Sequence, residues 1–190
     1  MIGRLPRSLE VNGKEYAIRS DFRDCLTILQ CLGDPDFTYE EKMDVMLRIL
    51  YVNWSEIPDD DLQTAVDKAV WFLDCGETPQ EDGRHSVQRM VLFDWGQDEQ
   101  LIFAAVNHVA GKELRDCEYV HFWTFISYFH EIGEGLFSTV IYIREKKQKG
   151  KLDKSDLEFY RKNRNLINLK KKYSKEQQEE MDRINAILNG

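Results

Sequence analysis

Alternating apolar and polar residues predict a β-hairpin over about residues 8–18. Leu9 alternates with polar neighbours before Asn12-Gly13, and Tyr16 does so after it. The Asn-Gly pair supplies the two positive φ values that a type I′ turn requires. Because an isolated hairpin is only marginally stable in water, we expect it to pack against the rest of the chain.

Two other segments lack a helical pattern. Residues 86–93 alternate in the manner of a strand and are the candidate third strand beside the hairpin. Residues 75–85 contain two glycines and one proline. They predict an exposed loop, or a junction between two helical halves of the chain.

Elsewhere apolar residues recur three and four positions apart, which is the spacing of amphipathic helices. They predict helices over about residues 21–32, 38–52, 58–73, 94–109, 116–132, 138–150, 154–164 and 175–188. Polar residues near their starts suit N-caps: Ser20, Thr38 with Glu41, Asp94 with Gln97, Asp116, and Ser174 with Gln177. The expected fold is therefore mainly α, a compact helical bundle with a short N-terminal β-hairpin.

Charge is distributed unevenly along the chain. The net charge is −8, yet residues 144–190 contain 14 Lys and Arg against 8 Asp and Glu, whereas residues 1–143 contain 12 against 26. We expect a helical body over residues 1–150 and a lysine-rich helical tail over residues 151–190. The acidic body argues against nucleic-acid binding by the body. The tail either contacts an acidic partner or the body, or is a solvated helix.

The cysteines and the apolar segments indicate a cellular compartment. The four cysteines form no C-x-x-C pair, which predicts free thiols in a reducing environment: Cys25, Cys31, Cys75 and Cys117. The first residues contain no apolar region of the kind that a signal peptide needs. No apolar run approaches the roughly 18 residues of a membrane span. We therefore expect a cytosolic protein with no membrane partner.

The stretch EYVHFWTFISYFHEIG contains six aromatic rings and two histidines. His121 and His130 are nine residues apart, so a rotation of about 100° per residue places them on opposite faces of a helix. They therefore cannot share a metal ion. Five of the six rings lie on one wide face of the helix, which includes Phe122, Phe125 and Phe129, whereas Tyr128 lies on the other side.

This aromatic face predicts a core helix, with His121 pointing away from the apolar side. The alternative is a partly exposed groove that receives an apolar helix of a partner. If Trp123 and Tyr119 are buried, their polar atoms need hydrogen-bond partners.

Acidic residues near two helix starts have structural interpretations. Asp59–Asp61 follow Pro58, and negative charge is favoured at a helix start, so we expect a capping role. Asp98 lies in line with the apolar face of its helix. Such an acid needs amide donors or a cation, and Arg144 is the candidate. The sequence contains no nucleophile motif, glycine-rich phosphate loop or metal-ligand spacing, so we expect no enzyme activity and no cofactor.

Three segments together resemble the bacteriophage Gp-fifteen family. They are FDWGQDEQLIFAAV with Asp98, VHFWTFISYFHEI with His121, Phe122, Trp123 and Phe125, and VIYIRE with Arg144. The N-terminal LPRSLEVNGKEYAIRSDFRDCL is similar too, as a hairpin that runs into a first helix. The resemblance covers roughly residues 5–144.

The resemblance implies a role in phage tail assembly. Genes of this family lie just upstream of the tape-measure gene, where tail assembly chaperones are encoded. Such chaperones coat the apolar helices of the tape-measure protein and recruit tail-tube subunits. The implied function is a non-enzymatic chaperone in the host cytoplasm that binds the tape-measure protein, with the tail-tube protein as a second candidate partner.

Large apolar residues are the candidates for partner binding: Trp123, Tyr119, His121, Trp95, Met43 and Met46. The candidates for structural roles are Asp98, Arg144, Phe122, Phe125, Phe129, Asn12 and Gly13. Two other functions remain open, a minor structural component of the tail and a regulatory module whose basic tail binds nucleic acid. Homo-oligomerisation also remains open.

Overall fold

The computed structural model describes residues 3–77 and 90–189, with side chains as far as residue 184. Within these residues the fold is mainly α with an N-terminal hairpin, which confirms the predicted class. The elements are β1 (Ser8–Val11), β2 (Lys14–Ala17), α1 (Phe22–Leu32), α2 (Tyr39–Leu50), α3 (Leu62–Leu73), α4 (Glu99–Ala110), α5 (Phe122–His130), α6 (Leu136–Gln148), α7 (Lys154–Lys162), α8 (Arg164–Ile167) and α9 (Lys175–Asn189). Short 3₁₀ helices lie at Trp54–Glu56, Asp59–Asp61 and Leu114–Asp116.

The hairpin has the predicted turn. Asn12 has φ 47° and Gly13 has φ 86°, and the strands pair with Leu9 opposite Tyr16. Leu9, Val11 and Tyr16 are buried against the helical body. The hairpin is therefore stabilised by packing on helices, including α3.

The predicted third strand is absent over residues 90–93, the part of it that the structure describes. Residues 86–89 of the predicted strand and residues 78–85 of the predicted loop lie outside the described residues. Residues 90–93 are irregular, and the two-stranded sheet contains only β1 and β2 among the described residues. The carbonyl oxygen of Val91 accepts from Gln148, and that of Leu92 accepts from Arg144, so side chains of α6 satisfy this backbone.

The N-cap of α1 is one residue later than predicted. The carboxylate of Asp21 accepts from the backbone N–H of Arg23 over 3.0 Å, so Asp21 and not Ser20 is the cap. The Ser20 hydroxyl instead pairs with the phenol of Tyr119. At α2 the predicted capping box is present, and Thr38 and Glu41 exchange hydrogen bonds.

The three aspartates before α3 lie in a first helical turn, as predicted, but none of them caps α3 with a side-chain hydrogen bond. Asp59–Asp61 form a 3₁₀ helix, and the N-terminus of α3 has no side-chain cap. The carboxylate of Asp61 accepts from the side-chain amide of Asn12 over 2.5 Å, which connects this turn to the hairpin.

The aromatic helix α5 is shorter than predicted, and His121 is its N-cap. Asp116 lies in the preceding 3₁₀ helix and does not cap α5. Residues 117–121 are not helical, so the helical wheel does not apply to Tyr119 and His121. The expectation that His121 points away from the apolar side is wrong, because its side chain is buried.

The aromatic face of α5 is part of the core, as predicted. Phe122 and Phe125 are fully buried. The ring of Phe125 stacks on Phe22 of α1, with centroids 4.8 Å apart and planes 4° from parallel. At the end of α5, Phe129 is half-buried against Trp95, at 5.0 Å between ring centroids. Trp123 and Ile126 of α5 are only half-buried, and the alternative of a partner groove along α5 stays a prediction.

Candidate partner-binding surface

A buried ion pair joins α4 to α6. Arg144 donates to both carboxylate oxygens of Asp98, over 2.6 and 2.8 Å, and the two side chains are 4% and 3% exposed. Asp98 also accepts from the backbone N–H of Asp94 over 3.0 Å. A buried acid needs a cation or amide donors, and Asp98 has both.

The other donors of Arg144 bind carbonyl oxygens of two further segments. They donate to Leu166 and Ile167 at the end of α8, over 2.7 and 2.8 Å, and to Leu92 over 2.9 Å. All five N–H donors of the guanidinium are thereby used. Arg144 consequently fixes the end of α8 beside the start of α4.

Residues 168–174, the connecting segment, run from α8 to α9 across the turn that precedes α4. The side-chain amide of Gln97 donates to the carbonyl oxygen of Lys170 over 3.0 Å and accepts from its N–H over 2.7 Å. Lys172 forms an ion pair with Asp94 at 2.8 Å. Although burial raises the pKa of Asp94, hydrogen bonds from Lys172 and from nearby backbone amides lower it below its ordinary value. Side chains of the turn that precedes α4 therefore hold the connecting segment to the body.

A groove of about 820 Å³ lies between the connecting segment and the body. Its size is within the range of ligand pockets. Its apolar side chains are Val91, Ile167, Leu169 and Tyr173, and its lysines are Lys147, Lys170, Lys171 and Lys172. Ile167 is buried and Leu169 half-buried, whereas Val91, Tyr173 and the lysines are exposed. We call this region the C-terminal groove.

Helix α9 begins at the edge of this groove. Ser174 and Gln177 form the predicted capping box, and the N–H of Lys175 donates to Asp36 over 2.7 Å. All side chains of residues 175–184 are exposed. Met181 and Ile184 lie on one face of the helix, and we call these two residues the α9 stripe.

The side chain of His121 joins α5 to the N-terminal segment. Its Nδ1 accepts from the N–H of Trp123 over 3.0 Å, so Nε2 carries the proton and donates to the carbonyl oxygen of Pro6 over 2.9 Å. Burial lowers the pKa of His121, the hydrogen bond to Pro6 opposes this, and the charge of Arg7 lowers the pKa further. The imidazole therefore has a structural role as the neutral form.

The structure does not bring the six predicted partner-binding residues together on one exposed surface. Met46 and His121 are buried. Trp123, Trp95 and Met43 are half-buried, and Trp123 donates its indole N–H to the carbonyl oxygen of Phe72. Tyr119 is exposed. The exposed apolar surface of the C-terminal groove was missed, because it depends on how the connecting segment lies on the body.

Within the described ranges 3–77 and 90–189, no group of three or more metal-ligating side chains occurs. No helix among those residues has the length and apolar character that crossing a membrane requires.

A family model described as Bacteriophage Gp15 protein matches residues 1–169 of the chain. The chain belongs to this family. The match to the Gp15 family includes the hairpin, α1 to α8 and three apolar groove residues, Val91, Ile167 and Leu169, whereas α9 lies beyond it. It is the family that the three sequence segments resemble. No curated protein and no solved structure matches the chain.

Proposed function

We propose that this phage protein is a non-enzymatic tail assembly chaperone that binds apolar helices of the tape-measure protein in the host cytoplasm. The observation that carries the proposal is the C-terminal groove, in which apolar side chains lie beside exposed lysines. The resemblance of the sequence segments suggests the partner, since genes of the family lie just upstream of the tape-measure gene.

The shape and charge of the groove favour an amphipathic helix. Such a helix would place its apolar face on Val91, Leu169 and Tyr173 and its acidic flanks near the lysines. A long apolar helical protein aggregates when its apolar faces are bare, and the net charge of −8 would keep the complex soluble. The tail-tube protein is a second candidate partner, recruited once the tape-measure protein is bound.

The test is co-expression with the tape-measure protein followed by affinity capture. Val91→Glu introduces a charge into the groove and should reduce capture at least tenfold. Val70→Glu is the matched control, because Val70 is an exposed valine of α3 that does not line the groove. Capture that is equal for the two variants, or absent for the unmodified protein, would refute the proposal.

The alternative function as a minor structural component of the tail predicts a different location. A chaperone leaves when assembly is complete, so the protein should be absent from purified virions and present in lysates of infected cells. Quantitative mass spectrometry of purified virions distinguishes the two. A constant number of copies per virion would favour the structural component.

A further inference from the structure

We infer that helix α9 of one copy occupies the C-terminal groove of a second copy, so that the protein self-associates when no tape-measure protein is bound. The self-association itself does not depend on the proposed function. The argument has three parts: the exposure of α9, the chemistry of the groove, and the position of α9 relative to its own groove.

Over residues 175–184, whose side chains the structure describes, helix α9 buries no apolar side chain. It has 15 residues, and isolated helices of about 12 to 15 residues are only marginally stable in water. Met181 and Ile184 are 37% and 47% exposed. A second surface that covers the α9 stripe would supply the missing apolar burial.

The charges of α9 and of the groove are complementary. The groove is lined by four exposed lysines, of which Lys172 pairs with Asp94, whereas residues 173–190 contain 2 Lys and Arg against 4 Asp and Glu. On the helix, Glu176 and Glu180 follow one side of the α9 stripe, and Glu180 also pairs with Arg183. An acidic flank beside an apolar face matches exposed lysines beside apolar side chains.

The α9 stripe does not lie in the groove of its own copy, because Gln177 in the first turn lines the groove and Met181 and Ile184 do not. Tyr173 and Gln177 already line the groove, and the capping box of Ser174 starts the helix at the groove edge. No residues remain between the groove wall and α9 to turn the helix back. A copy of α9 that lies with its stripe in the groove must therefore belong to another chain, which makes a contact between two different surfaces.

Two variants with complementary defects test the inference in the full-length chain. Ile184→Asp disrupts the α9 stripe and leaves the groove intact. Lys170→Glu with Lys171→Glu reverses two groove charges and leaves the stripe intact. Each variant alone should self-associate at least tenfold more weakly than the unmodified protein in sedimentation equilibrium. An equimolar mixture should form a heterodimer, because one chain supplies an intact helix and the other an intact groove.

Further variants keep the test independent of folding. Ile184→Gln removes the apolar side chain but retains a good helix former, so it should weaken self-association as Ile184→Asp does. Leu157→Asp alters an exposed leucine of α7 outside the groove and should leave self-association unchanged.

Several results would overturn the inference. They are a protein that stays monomeric at every concentration, self-association that survives Ile184→Asp, or a mixture of the two defective variants that forms no heterodimer. If the protein stays monomeric and Ile184→Asp instead abolishes capture of the tape-measure protein, then α9 binds that partner. The proposed function would then stand without the self-association.

Discussion

Arg144 of α6 and Asp98 at the start of α4 form a buried ion pair through two hydrogen bonds, of 2.6 and 2.8 Å. The remaining donors of Arg144 bind the carbonyl oxygens of Leu92, Leu166 and Ile167. A single side chain thus positions the elements that form two walls of the C-terminal groove.

Removing the charge of Asp98 should destabilise the whole protein. Asp98→Asn leaves the guanidinium of Arg144 buried without a counter-charge, which costs about 3 to 5 kcal/mol in proteins. Urea unfolding measures the change in free energy. Asp44→Asn is the control, because Asp44 forms an exposed ion pair with Arg48 and its loss should cost less than about 1 kcal/mol. Unaltered stability of Asp98→Asn would contradict the structural role.

His121 should make stability depend on pH. Burial lowers its pKa in the folded state, so the unfolded chain binds the proton more readily. Its contribution is therefore fully present above about pH 6.5 and declines as the pH falls towards the folded-state pKa. His121→Asn keeps an N-cap acceptor but does not titrate, so the free energy of unfolding should change less between pH 7.5 and pH 5.5, taken as roughly one unit on either side of that value. An identical pH dependence in the variant would exclude this role.

Gln97 should control the mobility of the connecting segment. Gln97→Ala removes both hydrogen bonds to the backbone of Lys170, each worth about 0.5 to 1.5 kcal/mol. Amide hydrogen exchange of residues 168–174 should accelerate about tenfold, with little effect on global stability. Gln100→Ala, at another exposed position near the start of α4, should leave the exchange unchanged. Equal exchange rates in the two variants would show that Gln97 does not hold the segment.

A side chain at Gly13 should lower the stability of the protein, because the hairpin turn requires a positive φ there. Gly13 has φ 86° with open space around it, so the cost of Gly13→Ala arises from backbone conformation alone and is about 1 kcal/mol. Gly133 also has open space but no positive φ, so Gly133→Ala should be neutral or slightly stabilising. Thermal unfolding of both variants checks the difference, which disappears if the turn is flexible.

Local sequence signals predicted most of the helices and the hairpin. The Asn12-Gly13 turn and the Thr38 capping box each depend on residues that are neighbours in the chain, and both are present. Asp98 and Arg144 are 46 residues apart, yet an acid on an apolar helix face must have a buried partner, and this requirement identified the pair.

The prediction failed where tertiary contacts override local signals. Ser20 is a good N-cap residue, but Tyr119 engages its hydroxyl and Asp21 caps α1 instead. The wheel that placed His121 on the polar side assumed a helix that begins before residue 122. The C-terminal groove could not be predicted, because it is formed by segments that only the long-range contacts of Arg144 and Gln97 bring together.

The most direct test of the proposed chaperone function is the soluble amount of tape-measure protein with and without this protein. Co-expression of the unmodified protein should raise the soluble fraction several-fold. Val91→Glu should not raise it, whereas Val70→Glu should match the unmodified protein. A soluble fraction that the unmodified protein leaves unchanged would contradict the central claim.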